Sequence, residues 1–335
     1  MLSSLEIGCP KGHRREIFME VKQLQSLVAI ADHGTFSSAA KALDTVQSNV
    51  SAHIGRLEKQ LGTILIDRST GKLTDEGDMV AIRARRILHE MEDIDADIHS
   101  LGESTTGECR VGSIGTTARW LMPPLLGSLA RHHPGVRSTV VEGSTSSLLA
   151  RLSSGEIDAA IVHLPISDTS LEITEMFAED LFLLAPTKHV LAHHTSISLE
   201  ELASHPIILA PRGTAQRRII DRAAANHGVA LQSQAEIDGV RLMTSLVFEG
   251  FGAAIVPASA VPIWLTGDFV RIPVPQLPQR VVGWVQRLRP RPNRATLAVR
   301  DSVIEMVQRH GPVQPGISLE FAVKPVKGTQ TSRTV

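Results

Sequence analysis

A short run of the chain carries Gln47, Ser48, Asn49, Ser51, His53 and Arg56. Compact hydrogen-bonding side chains with an arginine behind them suit contact with base edges in a major groove. The positive end of a helix beneath them suits phosphate. The plainer role for the same residues is a solvated helix face. A second group is scattered. Ser113, Thr116 and Thr117 follow one apolar run, and Gly143-Ser144-Thr145 follows another. Pro211-Arg212-Gly213-Thr214 and Asp238-Gly239 follow two more. Each run has the look of a strand entering a helix, where free amides and hydroxyls can hold an anion. Capping of the next helix is the plainer role here. His132-His133, and His189 with His193-His194, invite a metal, but no cysteine or paired acid joins them. The chain contains no Walker loop, no Gly-x-Gly-x-x-Gly and no Gly-x-Ser-x-Gly elbow. With no tyrosine anywhere, stacking on a planar ligand falls to Trp120, Phe248, Phe251 or Trp264, whose plainer role is core.

The elements that must position these groups fit a chain of 335 residues, 42% hydrophobic and 21% charged. That is ordinary globular composition, and the length suggests two or three domains. Two cysteines, Cys9 and Cys109, cannot form a disulfide framework, which fits a reducing compartment. The longest weakly polar run, 253–265, is too short to span a bilayer, and residues 1–18 lack an export-type apolar core. A net charge of -1 argues against a nucleic-acid binder until it is divided. Residues 75–104 hold nine acidic and three basic side chains, whereas 19–74 hold six basic and five acidic. The acidic excess is therefore local, and the rest of the chain is mildly basic.

Residues 1–18 read as a disordered leader with Met19 as an alternative start, and 311–335 as a loose tail. Val21, Leu24, Leu27, Val28 and Ala31 repeat at helical spacing, and Gly34 ends that helix. A second helix over 38–43 has Thr35, Ser37 and Ser38 as caps and Ala39, Ala40 and Leu43 inward. A third, over 46–61, buries Val46, Val50, Ile54, Leu57 and Leu61, with the polar run on its other face. Two short helices joined by a tight turn spell helix-turn-helix. Residues 63–73 follow as a small β-ribbon turning at Thr70-Gly71, with Arg68 and Lys72 placed to hold phosphate.

Residues 21–77 closely resemble the winged helix-turn-helix of LysR-type transcriptional regulators. Leu24, Phe36, Ala39-Ala40, Leu43, Gln47-Ser48, Val50-Ser51, Ile54, Leu57-Glu58, Leu61-Gly62, Leu65, Arg68, Leu73-Thr74 and Gly77 carry the match. Ile66 replaces a usual Phe, Asn49 stands where Pro is common, and the wing is short. The DNA-contacting set is then Ser37, Gln47, Ser48, Asn49, Ser51, His53, Arg56, Arg68 and Lys72.

Residues 75–104 form one long helix. Val80, Ala84, Ile87, Met91, Ile94, Ile98 and Leu101 step by alternating fours and threes, a heptad seam. An apolar seam of that length needs a partner, and packing on its own ligand domain is the alternative. The resemblance implies a linker helix that pairs two subunits.

From residue 107 onward, strand patterns at 109–114, 137–142, 158–162, 181–185, 207–210, 234–238, 253–256 and 281–286 alternate with helix patterns at 123–133, 147–154, 214–227 and 240–248. Such alternation predicts parallel sheets, in one large sheet or two lobes. Pro134-Gly135-Val136, Gly155-x-x-Asp158-Ala159-Ala160-Ile161 and Gly250-Phe251-Gly252-Ala253-Ala254-Ile255-Val256-Pro257 extend the resemblance. It implies a two-lobed α/β domain over 107–310, like a periplasmic solute-binding protein. Lobe I would hold 107–182 and 284–310, and lobe II 183–283. Thr116, Ser144 and the Pro211–Thr214 turn would match effector-contacting positions, alongside Ser113, Thr117, Arg212 and Asp238. Arg119 is a weaker candidate.

The expected protein is a cytoplasmic, non-enzymatic regulator without cofactor or metal. A small anionic effector in the cleft would alter promoter binding or bending. Its partners would be double-stranded DNA with an interrupted inverted repeat, the effector, RNA polymerase and further copies of itself as dimer or tetramer, with no membrane. The rival readings are an effector-independent DNA binder with a vestigial pocket, and a solute-binding protein.

Overall fold

The computed structural model describes residues 19–99 and 105–320. The expected leader at 1–18, seam position Leu101 and the far tail from 321 lie outside the described residues. The chain divides into two compact units after Ile94.

The first unit is α1 (Val21–His33), α2 (Phe36–Ala42), α3 (Gln47–Leu61) and the start of α4 (Asp75–His99). Its boundaries follow from caps. Glu20 and Gln23 form a reciprocal capping box on α1. Gly34 ends α1 at φ 77, returning its amide to the Ile30 carbonyl. Thr35 caps α2 by accepting from the Ser38 amide, and Gly62 closes α3. Leu27, Ile30, Ala39, Val50, Ile54, Leu57, Leu65 and Ile66 form the core. The expected stripes need two corrections. On α1 the buried apolar positions are Leu24, Leu27, Ala29 and Ile30, while Val21 is exposed and Val28 and Ala31 are partly so. On α3, Val46 is exposed because it is the N-cap, outside the helix proper. The predicted ribbon is also smaller than expected. One antiparallel bridge, Ile66 to Leu73, closes a turn in which Gly71 takes φ 72.

The start of α4 is locked to this core. A Cβ at Gly77 would run into the Leu65 carbonyl, so only glycine lets the helix lie there. Val80 and Ala81 join the same core, and Ala84 is buried. The seam thus changes character along its length. Val80 and Ala84 pack inward, whereas Ile87, Met91, Ile94 and Ile98 are exposed.

The second unit contains two sheets. The strands of the first lobe are β1 (Gly107–Ser113), β2 (Val136–Glu142), β3 (Ala159–His163) and β4 (Leu171–Glu179). Its first helices are α5 (Gly115–His132) and α6 (Thr145–Ser154). The second lobe holds β5 (Leu181–Pro186), α7 (Leu199–Leu202), β6 (Ile207–Leu209), α8 (Ala215–Asn226), β7 (Ser233–Glu236), α9 (Val240–Phe248), β8 (Ala254–Pro257), a 3-10 turn (Ala258–Ala260) and β9 (Phe269–Pro273). The chain then returns through β10 (Arg280–Arg287), α10 (Arg294–His310) and β11 (Ile317–Ser318). The strand orders are β11-β4-β10-β3-β1-β2 and β7-β6-β8-β5-β9.

The sheets are mixed, not parallel as predicted. β1 runs parallel to β2 and β3, but β10 runs antiparallel to β3 and β4. β5 likewise opposes β8 and β9. The antiparallel pairs arise where the chain crosses between lobes and comes back in the reverse sense. Such pairs need no crossover helix. β4, β9 and α10 go beyond the sequence expectation, and α5 starts two turns earlier than the pattern suggested because Pro123-Pro124 lie inside it.

The return also falls earlier than residue 284, since all of β10 belongs to the first sheet. At the crossing, Glu179 is fully buried. It accepts from Arg280 at 2.6 Å, and from the Ser259 amide at 3.1 Å and hydroxyl at 2.6 Å. Residues after α10 are ordered as well. Gln314 is buried, donates to the Ala258 and Val261 carbonyls, and accepts from the Ile263 amide. β11 meanwhile pairs with β4. Residues 311–318 therefore strap the first lobe to the 3-10 turn of the second, and the tail expected to be loose from 311 is fixed to at least Ser318. Composition alone missed this because one glutamine supplies three of the contacts.

Candidate nucleic-acid interface and ligand cleft

In the first unit, Gln47, Ser48, Asn49 and Arg56 stand exposed on α3, with Ser37 on the first turn of α2 and Lys72 beyond the wing turn. Val46 provides no side-chain cap, so the first amides of α3 stay available to an external acceptor. Three expected contacts are held by neighbours. Asn49 donates to the Thr45 hydroxyl at 3.0 Å. His53 Nδ1 lies 2.9 Å from the Ser26 hydroxyl on α1, and Ser51 is half-buried. Burial, then the charges of Arg56 and Lys22, hold the His53 pKa below its ordinary value. His53 thus joins α3 to α1 more than it faces outward. Arg68 pairs with Glu58 at 3.1 Å and lies over the Phe36 ring. Glu58 also accepts from the Leu65 and Ile66 amides, so it anchors the wing to α3. Arg68 remains exposed beyond its pair with Glu58.

In the second unit, parallel pairing brings three strand ends together. Ser113 faces Glu142 across β1 and β2, and Ile161 across β1 and β3. The Gly143 amide donates to the Ser113 carbonyl, and the His163 amide donates to the Thr145 hydroxyl. The lobe I candidates therefore form one cluster, but with unequal access. Ser113 and Thr117 are fully buried, Thr116 nearly so, and Ser144 is exposed. Thr117 Oγ1 is buried without a hydrogen-bond partner. Ser144 caps α6 through the Ser147 amide.

On lobe II, Thr214 caps α8 through the Arg217 amide and donates to the Pro211 carbonyl. The Arg212 amide reaches Glu236 at 3.4 Å, so this turn sits beside the end of β7 and the exposed Asp238. Arg241, on the first turn of α9, pairs with Glu142 and bridges the two lobes. The capping role predicted as the plainer one is thus real for Ser144 and Thr214. Each cap still leaves a helix N-terminus at the strand ends.

Two cleft groups were not singled out from the sequence. His163 ends β3, its Nδ1 buried without a hydrogen-bond partner. Burial, and then the charge of Arg280, push its pKa down to about 2, so the ring is neutral. Arg241 was the other. The signal that could have found both is position, since each closes a strand or opens a helix beside the predicted set. Of the aromatic candidates, Trp120 is core, edge-on to Phe177 at 5.2 Å, and Phe248 packs on Phe269. Phe251 and Trp264 are exposed. Among the described residues, no three His, Cys, Asp or Glu side chains gather to hold a metal. No described helix is long and apolar enough to cross a membrane.

Comparison with known proteins places these features in a family. The bacterial regulatory helix-turn-helix model of the lysR family matches residues 21–78. The LysR substrate binding domain model matches residues 102–308. A probable hydrogen peroxide-inducible genes activator of Mycobacterium avium is 31% identical over 72% of this chain and 78% of its own. The transcriptional regulator CysL of Bacillus subtilis is 25% identical over 71% of this chain and 80% of its own. Among solved structures, a full-length cysteine-substituted OxyR from Pseudomonas aeruginosa aligns with a TM-score of 0.68 and 26% identity, covering 86% of this chain and all but 2% of that one. CbnR complexed with its target DNA shares the fold, with a TM-score of 0.64 at 23% identity over 87% of this chain and 100% of that one.

Proposed function

The chain belongs to the LysR family of transcriptional regulators, and from that premise we propose how its own residues divide the work. Gln47, Ser48, Asn49 and Arg56 read base edges in a major groove. Ser37, Lys72, Arg68 and the open N-terminus of α3 hold phosphate. His53 orients the helix through its contact with Ser26, and half-buried Ser51 belongs to the DNA-contacting set. The observation that carries this reading is the exposed polar face of α3, set on a core that fixes its angle.

The outer seam, Ile87, Met91, Ile94 and Ile98, pairs with a second copy, and Leu101 continues it. Val80 and Ala84 instead anchor the helix to its own head. Pairing doubles the contacts of a weakly charged head and matches a twofold, interrupted inverted repeat. Further pairing into a tetramer and contact with RNA polymerase belong to the same reading. So does a cytoplasmic location without catalytic turnover or cofactor.

The effector is a small anion bound between lobes at the strand ends. Thr116, Ser144, Thr214 and the α8 and α9 N-termini offer donors, with Ser113, Thr117, Pro211, Arg212 and Asp238 shaping the site. The neutral His163 adds a fixed hydrogen-bonding group. Ligand that binds the closed arrangement better shifts the lobes and, through them, the promoter complex.

Some relatives are named for hydrogen peroxide, but among the described residues a thiol switch is not the reading. Peroxide attacks exposed thiolates, and Cys109 is buried in β1. Footprinting at the promoter nearest the gene, with and without candidate carboxylates, tests the switch. A protected region that lengthens or gains hypersensitive sites supports it. A footprint unchanged by every effector that raises the melting temperature favours the effector-independent binder.

A further inference from the structure

Val46 is out of keeping with the rest of the α3 front. It is the N-cap of that helix, in extended backbone at φ -96 and ψ 150, and it is 60% exposed. Valine is among the poorest caps, because it has no oxygen to accept from the first-turn amides. Elsewhere this chain caps with oxygen-bearing side chains. Thr35, Ser144, Ser198, Thr214 and Asn293 each accept from an amide at the start of a helix. Nor does Val46 serve packing, since the core takes Val50, Ile54 and Leu57 from α3. A β-branched apolar side chain is therefore kept in water at a position where serine or threonine would stabilise the helix.

The backbone that carries it is held from both sides. The Thr45 amide donates to the Ala40 carbonyl at 2.9 Å, which closes the turn onto α2. The Val46 carbonyl accepts from the Asn49 amide at 3.0 Å, and the Asn49 side chain donates to the Thr45 hydroxyl at 3.0 Å. Valine has a single, stiff side-chain torsion, so covering its methyls costs little rotamer freedom. Gln47, Ser48 and Asn49, the next three residues, are exposed as well. An apolar group among hydrogen-bonding groups has one counterpart in the major groove. Thymine presents a C5-methyl there, and the other three bases present only donors and acceptors.

Building on the reading of α3 as the base-contacting helix, we propose that Val46 reads a thymine C5-methyl group in each half-site. It adds an apolar determinant that the hydrogen-bonding residues beside it do not supply. Covering the valine and thymine methyls removes a small apolar area from water, worth about threefold to tenfold in affinity per half-site. The contact involves no charge, so it leaves the salt dependence of binding unchanged, unlike a phosphate contact from Arg68 or Lys72.

The test uses the full chain and a duplex that it selects from random-sequence DNA. Each thymine of the selected half-site is replaced in turn by uracil, which removes the methyl and keeps the pairing edge. Binding is followed by fluorescence anisotropy. Uracil at one position is expected to weaken binding about threefold to tenfold. Val46→Ala weakens binding to the thymine duplex by a similar factor, no longer distinguishes uracil, and keeps the salt dependence. Val46→Ser supplies the missing cap, so the helix is kept or strengthened, yet it too loses the discrimination. A purely structural role for position 46 would leave discrimination in place in that variant. Uracil tolerated at every position overturns the proposal, as does a selected half-site without thymine. Discrimination that survives in Val46→Ala and Val46→Ser also overturns it, because another group would then read the methyl. Gln47→Ala separates this failure from that of the α3 reading. If uracil is tolerated but Gln47→Ala weakens binding, only the role of Val46 falls. If neither change matters, α3 is not the reading helix and both fall.

Discussion

The face of α3 and the strand-end cleft solve different problems. The α3 face is written in one helix, and its side chains stay exposed because a compact core lies behind them. The cleft is assembled from positions as distant as Ser113 and Asp238, and most of its hydroxyls already have local duties. Ser144 and Thr214 cap helices, and Ser113 is buried with its hydroxyl on the Ile114 carbonyl. A reading face needs direct access. A sensing cleft needs groups whose hydrogen bonds are pre-arranged and whose walls can shift. The contrast predicts that damage to one region leaves the other working.

The strongest attempt to break that separation is at the crossing between lobes. Glu179→Leu strands Arg280 as a buried, uncompensated charge. The expected loss is about 3–5 kcal/mol in the ligand domain, seen by thermal or denaturant unfolding of that unit. Unfolding of the head at the same midpoint would mean the two units melt as one. Next come Gln47→Ala and Arg56→Ala, each expected to cost about 1–3 kcal/mol in specific DNA binding if it touches a base. Gel-shift titration against the operator measures this, and effector affinity should not change. Equal loss of both activities would misplace the recognition helix.

A third probe uses pH. The His163 pKa falls from 6.5 to about 2 on folding. Below pH 6.5 the unfolded chain takes up a proton that the native ring refuses. The stability present above that pH is therefore lost as pH falls, by at most about 1.4 kcal/mol per unit for this group. His163→Asn should flatten the acid limb of the stability curve for the ligand domain and leave the head unchanged. An unaltered slope would place the acid sensitivity elsewhere. The smallest effect is Thr214→Ala, about 1 kcal/mol of stability from a lost cap. An accompanying loss of effector affinity, by calorimetry, would show that the α8 N-terminus serves ligand as well as fold.

Legibility in the sequence follows the same contrast. The helix-turn-helix is contiguous, so its period, caps and turns all lie within forty-odd residues. Its misses were local: Val46 caps α3, and His53 turns toward Ser26. The ligand domain depends on partners far apart in sequence. β4 meets β10 across about a hundred residues, as the Glu179–Arg280 pair does, and no local pattern encodes strand direction over that span. The seam of α4 was legible as a period but not as a division of labour. Gly77 and the Leu65 carbonyl decide that its first turns belong to the head.

The strap at residues 311–318 has a genetic consequence. A nonsense allele ending just after α10 would keep the reading head and every long strand of both sheets. It would lose Gln314 and the hold on the 3-10 turn. The expected phenotype is an altered inducer dose or constitutive output with DNA binding retained, and loss of DNA binding in a gel shift would place the allele among the nulls instead. A screen that sorts mutants of the regulator only by loss of promoter signal would pass over it.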